Sequence, residues 1–171
     1  MRKSFVGIIL GLALLCSPIE AKANSLSNIE DTSESDGIPT DIRIYAELCG
    51  TEFNICPEFL EAIAYTESRF TATAENGSCY GLMQINLNAH KDRIASYGWT
   101  EADMADPYRN MMIASDYLRE LFEEYEDPGM VLIVYNGATS ALPAFKKNGT
   151  LPYYANSILK RSEEYERVHG K

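Results

Sequence analysis

From residue 41 onward apolar side chains return every three or four positions, a spacing that predicts helices rather than strands. The segment 41–49 places Ile42, Tyr45 and Leu48 on one face, with Gly50 as a stop. Pro57 fits the first turn of a helix running to about Arg69. Asp106-Pro107 supplies a cap and first turn for a long helix to Tyr125, and Asp127-Pro128 repeats the signal before the apolar run Val131 to Tyr135. A last helix is expected from Pro152 to Tyr165, with Tyr154, Ile158 and Tyr165 near one stripe. Strand signals are weak throughout, so the fold class is all-α. Residues 70–88 break the pattern with Gly77, Gly81 and many polar groups, and an irregular stretch of that length is more often functional than not.

The N-terminus reads differently. Arg2 and Lys3 precede an apolar run from Phe5 to Cys16, followed by Pro18 and the triplet Ala21-Lys22-Ala23. Those are the parts of a secretory signal peptide, over residues 1–23, and the run is shorter than the roughly 20 residues of a membrane-spanning helix. If it stays uncut, the segment serves as an N-terminal anchor. Residues 24–39 are rich in Ser, Asn, Asp and Gly and read as a flexible linker, leaving 40–171 as one domain. Export implies an extracellular, cell-wall or periplasmic location.

Composition narrows the chemistry. A net charge of −10 argues against nucleic-acid binding, which normally shows a basic face. Cleavage after Ala23 removes Arg2, Lys3 and Lys22 against Glu20 and brings the charge to −12. Two His residues, with no H-E-x-x-H and no paired C-x-x-C, give no metal site, and nothing indicates a cofactor. Cys49, Cys56 and Cys79 remain after cleavage, an odd number that allows at most one internal disulfide.

One carboxylate stands out. On the helix after Pro57, Leu60, Ile63, Ala64 and Glu67 share the face that enters the core, while Glu58 and Glu61 fall away from it. Glu67 is therefore the carboxyl expected to be desolvated, which raises its pKa toward the range of a general acid. The plainer alternative is a half-buried Glu whose head reaches water or a basic partner.

The motifs around Glu67 shift that balance. Glu67-Ser68, Gly81-Leu82-Met83-Gln84-Ile85, Ala114-Ser115-Asp116-Tyr117-Leu118 and Tyr135-Asn136-Gly137 occur in that order. Together they resemble the soluble lytic transglycosylase domain of the lysozyme-like superfamily, from about residue 41 to 165. The resemblance implies a peptidoglycan lytic transglycosylase in which Glu67 is the sole catalytic acid/base. In that family the acid protonates the glycosidic oxygen between N-acetylmuramic acid and N-acetylglucosamine, then takes the C6 hydroxyl proton as a 1,6-anhydro ring closes. It also implies that Met83 and Gln84 line the cleft, that Tyr135 reaches toward the acid or the acetamido group, and that Asn136 supports that corner. Ser68 and Asn76 fall at further substrate-side positions, Ser68 with more of a part in orienting the helix end.

Other roles stay open. Met83 serves equally well as core filler. Of the adjacent Tyr153 and Tyr154 at most one stacks on a sugar, and Tyr153 is carried as that candidate. Tyr117 and Leu118 read as packing, and His90 as a solvated loop residue. Cys79 either bonds to Cys49 or Cys56 or stays a free thiol. A hydrolytic muramidase on the same fold would need a second carboxylate from Asp92, Asp103 or Asp106, of which Asp106 is better explained as a helix cap. A non-catalytic wall-binding protein is the remaining alternative. The partner in every case is peptidoglycan, and the acidic charge suits restrained remodelling within a larger cell-envelope machine.

Overall fold

The computed structural model describes residues 36–171; the expected signal peptide and residues 24–35 of the expected linker lie outside them. Among the described residues seven α-helices carry the fold: α1 (Thr40–Phe53), α2 (Pro57–Ser68), α3 (Leu87–Ser96), α4 (Pro107–Tyr125), α5 (Pro128–Tyr135), α6 (Leu142–Asn148) and α7 (Tyr153–Val168). Between α2 and α3 lies a small antiparallel sheet of β1 (Glu75–Asn76), β2 (Cys79–Tyr80) and β3 (Ile85–Asn86), in that order. Asn76 pairs with Cys79 across the tight Gly77-Ser78 turn, and Tyr80 pairs with Ile85. The irregular stretch anticipated from 70–88 thus holds two-residue strands too short to leave an alternating pattern.

The two Asp-Pro signals behave as the sequence predicts. Asp106 accepts the Arg109 amide at 2.9 Å and Asp127 the Met130 amide at 3.0 Å, each capping a helix whose first residue is Pro. α1 departs from expectation. Gly50 is not a stop: the helix runs on to Phe53, and a Cβ at residue 50 would lie 2.6 Å from the Ile55 carbonyl oxygen. Glycine is there to let the returning chain pass close. The buried face of α1 is Ile42, Arg43, Ala46 and Cys49, and Leu48 is 52% exposed.

α2 sits at the centre, packed by α1 and α7, and α4 and α5 complete the core. Its enclosure is nearly complete, which corrects the expectation for Glu58 and Glu61: both are buried, not turned to solvent. The C-terminal tail brings the partners of Glu58. His169 Nδ1 lies 2.9 Å from Glu58 Oε1, Lys171 Nζ lies 2.7 Å from the same oxygen, and His169 Nε2 lies 2.8 Å from Asp36 Oδ2. Arg43 also donates to Asp36 at 2.7 Å. Asp36 and the buried Ile38 therefore pin residues 36–39 to the domain, although their composition reads as linker.

This network gives stability a pH dependence. Burial pushes Glu61 up to about 8, and its Oε2 has no hydrogen-bond partner among the described residues. Burial acts to raise Glu58 too, but hydrogen bonds from His169, Cys56 and Lys171 override it and hold that carboxyl at about 2. The hydrogen bond to Glu58 raises His169. A raised group stabilises the fold below its unfolded pKa and loses that contribution as pH rises through the folded value. A depressed one stabilises above its unfolded pKa and loses it as pH falls. Glu61 thus erodes stability as pH rises from about 4.5 to about 8, the raised His169 adds to that loss as it deprotonates, and Glu58 erodes stability as pH falls from about 4.5 toward 2. Thermal melts should peak at mildly acidic pH. Glu61→Gln should flatten the limb between pH 5 and 8; an unchanged limb would remove Glu61 as its source.

Candidate active site

Glu67 enters on the last turn of α2 because Leu60, Ile63 and Ala64, all fully buried, fix that face toward the core. Arg69 and Phe70 then take left-handed backbone at φ 53° and 63°, turning the chain out of the helix toward the sheet. The Glu67 carboxyl is half-buried, and Tyr154 of α7 donates a hydrogen bond to its Oε1. Burial raises the Glu67 pKa; the tyrosine bond works against that and lowers it. Burial, and after it the nearby Glu67 carboxyl, push the Tyr154 hydroxyl far above its ordinary value, so it remains a donor. Tyr154→Phe should therefore raise the Glu67 pKa further, readable by NMR titration of the carboxyl carbon. An unchanged or lowered value would contradict the arrangement.

The loop Gly81–Gln84 is built around Asn110 of α4. Asn110 is fully buried; its Oδ1 accepts the Met83 amide at 2.8 Å, and its Nδ2 donates to the Tyr80 and Met104 carbonyls at 3.0 and 3.1 Å. Gly81 takes φ 83° directly against it, where a Cβ would meet Asn110 Nδ2 at 2.2 Å. Gln84 follows with φ 49°, its Nε2 donating to Ala74 and Gly81 carbonyls at 2.9 and 3.0 Å. Its amide nitrogen is thus spent bracing the loop, and the amide oxygen is what remains to meet a ligand.

Beside this loop lies a hollow of about 200 Å³, lined by residues from β2, β3, α3, α4 and the end of α5. Cys79, Gln84, His90, Tyr117, Tyr135 and Asn136 are among them. Glu67 adjoins the hollow: its charge raises the pKa of both Tyr135 and Cys79, after burial in each case. Tyr135 donates to the Met83 carbonyl at 2.9 Å, so its hydroxyl is turned inward.

The candidate residues divide accordingly. Glu67, Gln84, Tyr135 and Asn136 come together. Met83 does not line the hollow: its side chain is fully buried, and only its backbone serves the site. Ser68 is buried and bonds back to the Ala64 carbonyl at 3.1 Å, a helix-end role. Asn76 sits exposed beside the hairpin turn, outside the hollow. Tyr153 is 88% exposed and points away, because it lies off the stripe that carries Tyr154 inward. Cys49, Cys56 and Cys79 are free thiols, so among the described residues no disulfide braces the cleft.

Sequence reasoning missed Tyr154 as the partner of the acid, although the stripe with Ile158 and Tyr165 already held the signal. It also missed His90, which is half-buried on α3 with its ring 4.6 Å from that of Tyr117. Tyr117 in turn stacks on Tyr135 at 5.8 Å and lines the hollow, so it is more than packing. Of the aspartates offered as a second carboxylate, Asp106 caps α4 and Asp103 holds Thr100 and Arg109. Asp92 is exposed, and none of the three lines the hollow.

A helical domain with a desolvated glutamate at a helix end, facing a short hairpin and a tyrosine-asparagine corner, defines an SLT-type domain of lysozyme-like fold. The transglycosylase SLT domain family matches residues 45–156, and the chain belongs to that family. Protein IpgF of Shigella flexneri is 33% identical over 118 residues, which cover 66% of this chain and 74% of IpgF. Among solved structures, the 70 kDa soluble lytic transglycosylase SLT70 of Escherichia coli superposes with a TM-score of 0.67 at 17% identity over 88% of this chain. An inactive Glu-to-Gln mutant of the lytic transglycosylase Slt of Pseudomonas aeruginosa gives 0.65, also at 17% identity, over 76%. This chain spans only about a quarter of either, 27% and 24%. At that identity the likeness is one of fold.

Proposed function

We propose that the domain is a peptidoglycan lytic transglycosylase that cleaves the β-1,4 bond between N-acetylmuramic acid and N-acetylglucosamine, with Glu67 as its single acid/base. The observation that carries this is the Glu67 carboxyl itself: half-buried, raised by desolvation, and held by Tyr154 beside a polar hollow. In its protonated form it gives its proton to the glycosidic oxygen as the C1–O bond breaks. The resulting carboxylate takes the proton of the C6 hydroxyl, whose oxygen bonds to C1 and closes the 1,6-anhydro ring. Glu67 ends the cycle protonated and no water is consumed. The sugar's own acetamido group stands in for the second carboxylate that inverting and retaining hydrolases use.

Export through residues 1–23 would deliver this activity to the wall, where a mature charge of −12 disfavours free attack on an anionic polymer and suits action within an envelope machine. Digestion of purified peptidoglycan in oxygen-18 water tests the chemistry. The lytic route leaves released muramyl ends unlabelled; label at those ends would make the protein a hydrolase.

A further inference from the structure

Among the side chains lining the hollow beside Glu67, His90 is used by neither the motifs nor the acid/base step. His90 lines it from α3, and Tyr117 and Tyr135 continue the same wall as a row of aromatic rings. Neither ring nitrogen of His90 has a hydrogen-bond partner among the described residues, in contrast to His169, where both are engaged. Two neighbouring groups are committed elsewhere. Arg93, one turn on, pairs with Asp116 and Glu120, and the Tyr135 hydroxyl is bonded to Met83. Burial, then the charge of Arg93, lowers the His90 pKa, so the ring is neutral at physiological pH and offers one donor and one acceptor. A neutral imidazole with both nitrogens unspent, set in a row of aromatic faces, matches the mixed donor-acceptor edge of an amino sugar.

We infer that His90 is a specificity residue whose imidazole hydrogen-bonds a hydroxyl or acetamido group of the amino sugar held in this hollow. The inference rests on the glycan reading proposed above. It differs from a purely structural role, in which His90 is a flat prop under Tyr117, and two substitutions separate the two. His90→Phe keeps an aromatic ring against Tyr117 and removes both hydrogen-bonding nitrogens. His90→Gln loses the ring and keeps a donor and an acceptor.

Both are best measured in the full chain carrying Glu67→Gln, so that binding of a peptidoglycan-derived tetrasaccharide is read by calorimetry without turnover. Losing one hydrogen bond to the ligand should weaken binding about tenfold in His90→Phe. His90→Gln should stay within about twofold of the parent. With Glu67 restored, the same pattern should appear in KM, with kcat little changed. Wild-type affinity in His90→Phe with loss in His90→Gln would make His90 a prop and overturn the inference. Equal loss in both variants, or loss in neither, would also overturn it. If the Glu67→Gln parent with His90 intact binds no tetrasaccharide, the glycan reading itself fails, and that result is distinct from the others.

Discussion

Glu67→Gln is expected to abolish glycan cleavage, lowering kcat by roughly 10²–10⁴-fold or more, since general acid catalysis is worth that much and here one group serves both proton transfers. Gln is nearly isosteric and can still accept from Tyr154, so the helix end and the hollow should stand unchanged. Removing a half-buried ionisable carboxyl also removes its desolvation penalty, so the melting temperature should hold or rise at neutral pH. The wild-type rate should fall as pH rises through the elevated Glu67 pKa, because the leaving oxygen needs the protonated form. Loss of activity accompanied by a large drop in melting temperature would instead mean that the substitution had broken the fold.

Gly81→Ala is expected to carry the largest stability effect near the site. The new Cβ would have to occupy φ 83° and would meet Asn110 Nδ2 at 2.2 Å and the Met104 carbonyl oxygen at 2.8 Å. Left-handed backbone costs a residue with a side chain about 1–2 kcal/mol, and overpacking a rigid interior adds about 1–3 kcal/mol. Asn110 cannot move aside cheaply, because it holds Tyr80, Met83 and Met104 by three hydrogen bonds. A loss of roughly 2–5 kcal/mol, or about 10 °C in melting temperature, should appear in denaturant and thermal unfolding. The Met83–Gln84 backbone would shift with it, so activity should fall as well. A variant with the parent's melting temperature would contradict the close packing of this loop.

These two positions also show how far the sequence reaches. Glu67 was legible because three apolar neighbours at helical spacing leave its orientation no freedom, and α4 and α5 because Asp-Pro is a strong local start signal. α3 was not: of its ten residues only Ile94 is fully buried, so its apolar stripe is short, and Asn86 caps it without a proline. Glu58 misled because its partners His169 and Lys171 lie more than a hundred residues away, and Glu61 because it is buried although its Oε2 has no hydrogen-bond partner among the described residues. Met83 and Ser68 sit within recognisable motifs, yet their side chains serve the interior. The motif marks the backbone and neighbours they position rather than contacts of their own. His90 was invisible because what makes it part of the hollow is Tyr117, on a helix packed from elsewhere.

The central claim is that one carboxylate performs the whole reaction and leaves an anhydro ring. Mass spectrometry of the fragments released from purified peptidoglycan, by the wild-type chain and by Glu67→Gln side by side, tests it most directly. The account predicts 1,6-anhydromuramyl ends from the wild type and none from the variant. Reducing muramyl ends from the wild type, or anhydro ends persisting in Glu67→Gln, would contradict it.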